Sequence, residues 1–186
     1  TVLASNGTLV SAQNSAIYLN NSTITAPGAT NVTVALLDGQ YPGSPPADMT
    51  PAMDGENNGS ITLEDSSVGI YGKNGSRLSN RGTIAMGNNS TGLATSGQNS
   101  EVRNSGLITM GADSYGVYLQ DGVRVQNKAS GNILSSGADS IGIFAGNNAG
   151  TVMQVINDGN IDLTGNNTLG IYATGTNNHV INNNLG

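Results

Sequence analysis

Two short blocks recur in fixed order along this chain, and a repeat of about two dozen residues leaves few folds open. The first block is Asn, Gly two positions on, then a branched aliphatic: Asn57-Asn58-Gly59-Ser60-Ile61, Asn80-Arg81-Gly82-Thr83-Ile84, Asn104-Ser105-Gly106-Leu107-Ile108 and Asn157-Asp158-Gly159-Asn160-Ile161. The copy at Asn127 carries two extra residues before Gly131 and Ile133. The second block follows each Ile: Ser67-Val68-Gly69-Ile70-Tyr71, Ser90-Thr91-Gly92-Leu93-Ala94, Ser114-Tyr115-Gly116-Val117-Tyr118, Ser140-Ile141-Gly142-Ile143-Phe144 and Thr168-Leu169-Gly170-Ile171-Tyr172. From Asn57 to Asn182 the opening asparagines are 23, 24, 23, 30 and 25 residues apart, a solenoid spacing.

Within each copy apolar and polar residues alternate, as in Ile61-Thr62-Leu63 and Ile108-Thr109-Met110. Period two means strand, and no copy has the three-and-four spacing of a helix. Three short strands fit per copy. The first is centred on the Ile and the second on the Gly-Ile-Tyr block. The third precedes the next Asn, with Leu78, Val102, Val125, Val155 and Val180 each two positions before it. Three strands joined by Gly-, Asn- and Ser-rich bends describe one coil of an all-β parallel β-helix, about seven coils in 186 residues.

Parity then assigns faces. Ile61 with Leu63, Val68 with Ile70, and Leu78 with Asn80 are expected to point inward. Asn57, Asn80, Asn104, Asn127, Asn157 and Asn182 thereby form an interior polar ladder, in which each carboxamide donates to one neighbour and accepts from the other.

The pattern is worn at the start. Gly7-Thr8-Leu9 stands for a first strand and Ala16-Ile17-Tyr18 for a second, with the third missing or very short. Asn20-Asn21-Ser22-Thr23-Ile24 restarts it, and Val32 and Val34 occupy the places of Val68 and Ile70. Residues 38–56 hold four of the five prolines, which cannot serve a sheet ladder, so this segment is expected to leave the coil as a loop. Tyr41, Met49 and Met53 give the loop apolar material, either to bind a partner or to fold back as a cap. Residues 145–154 form a second, smaller insertion, read as length variation more readily than as a binding face. The chain lacks a starting Met and ends on Asn182-Asn183-Asn184, the opening of another coil, and reads as one β-helix fragment, 1–186, of a longer protein.

Tyr71, Tyr118, Phe144 and Tyr172 hold one position in successive copies, with Ala94 the gap and Tyr18 the counterpart in the worn coil. Parity sends this row outward, where the rings either stack on one another or meet a sugar or a partner's apolar surface. With Tyr41, Met49 and Met53 they are the candidate ligand-binding residues.

Charge excludes several classes. Only 10% of residues are charged, the net charge is −6, and the six Lys and Arg are scattered, so no nucleic-acid footprint is present. Arg77, Arg103 and Arg124 fall near one edge of the third strand, as a basic strip or, more simply, as solvated charges. With no Cys and the single His179 placed at a bend, nothing suggests a thiolate or histidine metal site, and no cofactor is called for. Gly111-Ala112-Asp113-Ser114 and Gly137-Ala138-Asp139-Ser140 resemble a nucleophile motif only faintly. Asp113 and Asp139 occupy equivalent places in adjacent coils; turn formation explains them better than a catalytic or cation-holding pair. Several Asn-x-Ser/Thr triplets, among them those at Asn6, Asn31, Asn58, Asn74 and Asn89, read as turn chemistry too.

Asn-x-Gly-x-Ile followed by Ser-x-Gly-Ile-Tyr, in a Cys-free and charge-poor chain, resembles the passenger region of Gram-negative autotransporter adhesins. The likeness is strong from Asn57 onward and weak before it. It implies a right-handed β-helix, display at the bacterial cell surface through a C-terminal outer-membrane barrel outside this chain, and adhesion to a host glycan or protein, or self-association. It carries no catalytic residues. A polysaccharide-degrading β-helix enzyme and a purely structural stalk are the alternatives.

Overall fold

The computed structural model describes residues 5–13, 16–44, 47, 49–50 and 52–184. Among the described residues, twenty strands lie in three all-parallel sheets, one per strand position of the repeat. The first-strand sheet contains β3 (Thr23–Thr25), β6 (Ser60–Thr62), β9 (Thr83–Ala85), β12 (Leu107–Met110), β15 (Asn132–Ser135) and β18 (Asn160–Leu163). The second-strand sheet contains β1 (Thr8–Ala12), β4 (Thr33–Asp38), β7 (Val68–Lys73), β10 (Thr91–Ser96), β13 (Tyr115–Gln120), β16 (Ile141–Asn147) and β19 (Leu169–Gly175). The third-strand sheet contains β2 (Tyr18–Asn20), β5 (Gly55–Asn57), β8 (Arg77–Asn80), β11 (Glu101–Asn104), β14 (Arg124–Asn127), β17 (Met153–Asn157) and β20 (Asn178–Asn182). The chain is a parallel β-solenoid of about seven turns with three strands per coil, and six steps between coils make a rod of about 30 Å.

Register turns repeat positions into columns. Ile24, Ile61, Ile84, Ile108, Ile133 and Ile161 are paired rung to rung. Leu78, Val102, Val125, Val155 and Val180 form another inward column. All of these except the end residues Ile161 and Val180 are buried, and each such aliphatic side chain contributes about 1.5–3 kcal/mol.

A third column is polar. Asn20 Nδ2 donates to Asn57 Oδ1 at 2.7 Å, and the same bond runs from Asn57 to Asn80, Asn80 to Asn104, Asn104 to Asn127, Asn127 to Asn157 and Asn157 to Asn182, at 2.8–2.9 Å. Every carboxamide points the same way, and the first accepts from the backbone N–H and hydroxyl of Ser22. The second N–H of Asn57, Asn80, Asn104 and Asn127 reaches the carbonyl of the nearby Gly, so these buried amides are satisfied by construction.

Bends are set by residues that tolerate positive φ. The position two before each second strand is left-handed in every coil: Asn6, Asn31, Ser66, Asn89, Asp113, Asp139 and Asn167, with φ of 52–59°. Asn74, in the next corner, has φ 54°. The Asn-x-Ser/Thr triplets that open at Asn6, Asn31, Asn74 and Asn89 therefore place their Asn in a left-handed turn, where Asn and Asp cost least.

Several details differ from the sequence reading. Thr8–Ala12 lies in the second-strand sheet and Tyr18–Asn20 in the third, one slot later than expected, so Tyr18 faces the interior and Asn20 starts the ladder. Thr33 and Ala35, not Val32 and Val34, pair with Val68 and Ile70. Val68 points outward. Two consecutive residues, Gly69 and Ile70, face in, because the coil turns its corner there and breaks the alternation. The glycine is needed at this corner. A Cβ on Gly116 would lie 2.6 Å from Ile133 Cγ2 and 2.7 Å from the carbonyl oxygen of Gly142 in the next coil.

Both insertions leave from one corner, between second and third strands. The Pro-rich departure is 39–54, since Asp38 closes β4 and Gly55 and Glu56 belong to β5. The smaller one is 148–152, since residues 145–147 extend β16 and Met153 and Gln154 start β17.

Candidate binding face

The outer face of the second-strand sheet carries two apolar columns. One runs Leu36, Tyr71, Ala94, Tyr118, Phe144 and Tyr172, so the four aromatics chosen from the sequence do share a column. Its place in the first coil belongs to Ser11 and not to the buried Tyr18. The other runs Thr33, Val68, Thr91, Tyr115, Ile141 and Leu169. It was missed because strict alternation sent Val68 inward. The signal was available in the glycine that follows each member of the repeat from Val68 onward.

Rings from both columns pack together. Tyr118 and Phe144 lie parallel with centroids 4.7 Å apart, the spacing of the rungs. Tyr115 meets both edge-on, at 5.6 and 5.8 Å, and Tyr172 tilts onto Phe144 at 5.7 Å. The row thus stacks on itself, with the facing ring surfaces of Tyr118 and Phe144 occupied by each other. Tyr71, separated from Tyr118 by Ala94, takes part in none of these ring pairs. Leu169 and Tyr172 are 47% and 43% exposed, and Val68, Tyr71, Tyr115, Tyr118, Ile141 and Phe144 are half-buried. Burial among these rings pushes the Tyr118 phenol up, helped by the Tyr115 and Tyr71 phenols and Asp121. The apolar side chains of the two columns are interrupted at the Thr91 and Ala94 rung and are densest from Tyr115 to Tyr172.

The 39–54 loop is fastened to the solenoid. Asp54 is fully buried; its carboxylate accepts from the Tyr41 and Arg77 backbone N–H groups, both at 2.7 Å, and from the Arg77 guanidinium at 3.1 Å. Glu56, also buried, accepts from the Thr50 N–H at 2.9 Å and from Arg81 at 3.3 Å. Met49 and Met53 are 4% and 1% exposed, so these two candidates anchor the loop and present nothing to a ligand; Tyr41 is half-buried.

The arginines do not form a basic strip. Arg77 pairs with Asp54, while Arg103 and Arg124 both reach Glu101, at 2.7 and 3.5 Å. Opposite charges alternate along one outer column, Asp54, Arg77, Glu101, Arg124, because adjacent rungs bring them together.

Comparison with family models, curated proteins and solved structures found no match to this chain.

The faint catalytic motifs have structural roles. Ser67, Ser90, Ser114 and Ser140 are buried, and each hydroxyl donates to the backbone carbonyl two residues earlier. Ser90 and Ser114 also accept from the backbone N–H of the serine one coil before. Asp113 and Asp139 take the left-handed corner, φ 54° and 56°. His179 lies within β20 opposite Gln154, not at a bend. Among the described residues, no helix is long and apolar enough to cross a membrane.

Proposed function

We propose that this chain is a binding module of an autotransporter passenger, held at a bacterial surface by parts outside it, and that it acts by adhesion and not by catalysis. The support is the repeat itself, which resembles such passengers, together with a rod that carries a long row of half-buried and exposed apolar side chains on the outer face of its second-strand sheet. The stripe runs from Leu36 to Tyr172, and the mutual stacking of Tyr118 and Phe144 at its centre favours a protein partner over a sugar stacked on those two rings. Host-cell protein is therefore the preferred class, with a second copy of this chain the runner-up on the same surface. The pinned loop serves as a rim to that stripe, not as its centre, because its methionines are buried.

The test replaces Tyr118 and Phe144 together by serine. Both lie on the outer face and neither fills the core, so the far-UV spectrum is expected to persist while attachment of the purified chain to host cells falls severalfold. Attachment equal to wild type removes the stripe from the adhesive surface. Sedimentation of wild type and variant separates self-association from a host partner.

A further inference from the structure

The corner after the first strand changes length part-way along the rod. In three coils the left-handed residue comes three positions after the last inward side chain: Leu63 to Ser66, Met86 to Asn89, Met110 to Asp113. In the next two it comes four positions after, from Ser135 to Asp139 and from Leu163 to Asn167. Each longer corner carries one more residue than those below it. The inward column narrows there, since Ser135 stands where neighbouring rungs have Met110 and Leu163.

Beside these corners lies a groove of about 330 Å³ lined by Thr109, Leu134, Ser135, Ser136, Asp162 and Thr164, with Met110 beneath. Thr109, Leu134 and Asp162 are consecutive rungs of one outer column, so an aliphatic floor has a hydroxyl on one side and a carboxylate on the other. Ser135 is already satisfied: its hydroxyl donates to the Met110 carbonyl at 2.9 Å and accepts from the Gly137 N–H at 3.0 Å. Asp162 is exposed and has no hydrogen-bond or ion-pair partner among the described residues. Leu134 is the bulky apolar member of a column otherwise made of Thr25, Thr62, Ala85, Thr109 and Asp162.

We propose that this groove binds one neutral pyranose unit, its C–H face on Leu134, adjacent hydroxyls donating to the Asp162 carboxylate, and Thr109 and Ser136 closing the polar rim. A carboxylate with two free oxygens matches a pair of neighbouring hydroxyls, and a single aliphatic side chain matches the apolar face of one ring. The net charge of −6 and the carboxylate in the groove disfavour a uronic or sialic acid. This site lies on a different sheet from the aromatic stripe and stands or falls independently of it.

The experiment titrates the ¹⁵N-labelled chain with methyl glucoside, methyl galactoside, methyl mannoside and glucuronic acid. At least one neutral glycoside is expected to shift the amides of Leu134, Ser136 and Thr164, with an affinity of about millimolar, as for any ligand of a dozen atoms. Asp162→Asn is expected to weaken that binding about tenfold, and Leu134→Ser to abolish it. Tyr118→Ser with Phe144→Ser is expected to leave it unchanged. Absence of shifts with every neutral glycoside overturns the proposal, as does binding that survives both groove substitutions or prefers glucuronic acid. Asp162 and Leu134 point outward, so the spectra of unliganded variants are expected to overlay wild type away from the groove.

Discussion

Replacing Asn104 by alanine interrupts the carboxamide ladder at its middle. Asn104 Oδ1 accepts from Asn80 at 2.9 Å, and its Nδ2 donates to Asn127 at 2.9 Å, both bonds being buried. Both ladder bonds disappear, worth about 1 kcal/mol each, and the longer donation from Asn104 Nδ2 to the Gly106 carbonyl, at 3.2 Å, goes with them. Asn80 keeps the carbonyls of Gly82 and Leu107, at 3.3 Å each, so its amide is not abandoned. The Asn127 oxygen fares worse, losing the ladder donor in the interior, a further cost of about 1–3 kcal/mol. The sum is about 3–5 kcal/mol. Asn182→Ala provides the control: that residue is exposed and only accepts one bond from Asn157, so water replaces the loss and the cost stays below about 1 kcal/mol. Urea unfolding followed by circular dichroism reads the totals. Amide exchange locates the loss, because a solenoid opens coil by coil. Equal costs for the two variants, or a loss under about 1 kcal/mol at Asn104, would refute the ladder as a source of stability.

Asp54→Ala is expected to cost about 2–4 kcal/mol, less than a fully enclosed pair because Arg77 is partly exposed, and limited proteolysis should then cut within 39–53. Gly116→Ala forces a Cβ against Ile133 and the Gly142 carbonyl, and a loss of about 2–3 kcal/mol is expected in the same unfolding assay. Burial raises the Tyr18 phenol to about 12, and its hydroxyl has no partner among the described residues. Its neutral form is therefore favoured in the folded state: this contribution is whole below the unfolded value of about 10 and drains away as pH rises through about 12. Tyr18→Phe is expected to abolish that alkaline loss, measured as unfolding midpoint against pH, without lowering stability at neutral pH.

Seven turns of three parallel strands, the isoleucine column and the asparagine ladder were all legible in the chain. Each depends on which residues recur at one spacing, and stacking then follows from the backbone's need to pair its hydrogen-bonding groups with the coils above and below. Asn and Asp at the corners were legible for a similar reason, since few other residues accept a left-handed backbone cheaply. Failures of the sequence reading cluster where a corner breaks alternation. An extra inward residue in each coil, Gly69 or Gly116, turned Val68 and Tyr115 outward and doubled the apolar stripe, and the first coil slipped by one slot for want of its usual markers.

Other features depend on neighbours one coil away and about two dozen residues distant. Nothing local to Asp54 or Glu56 announces that they will meet Arg77 and Arg81, or that Met49 and Met53 will be covered. The same holds for the alternation of Asp54, Arg77, Glu101 and Arg124, and for the hollow where Ser135 lies between Met110 and Leu163. A periodic chain states its columns, because every rung obeys the same local rule. What fills the corners between rungs, and so what this rod can touch, is fixed only when packing decides which side chains are covered and which charges find each other.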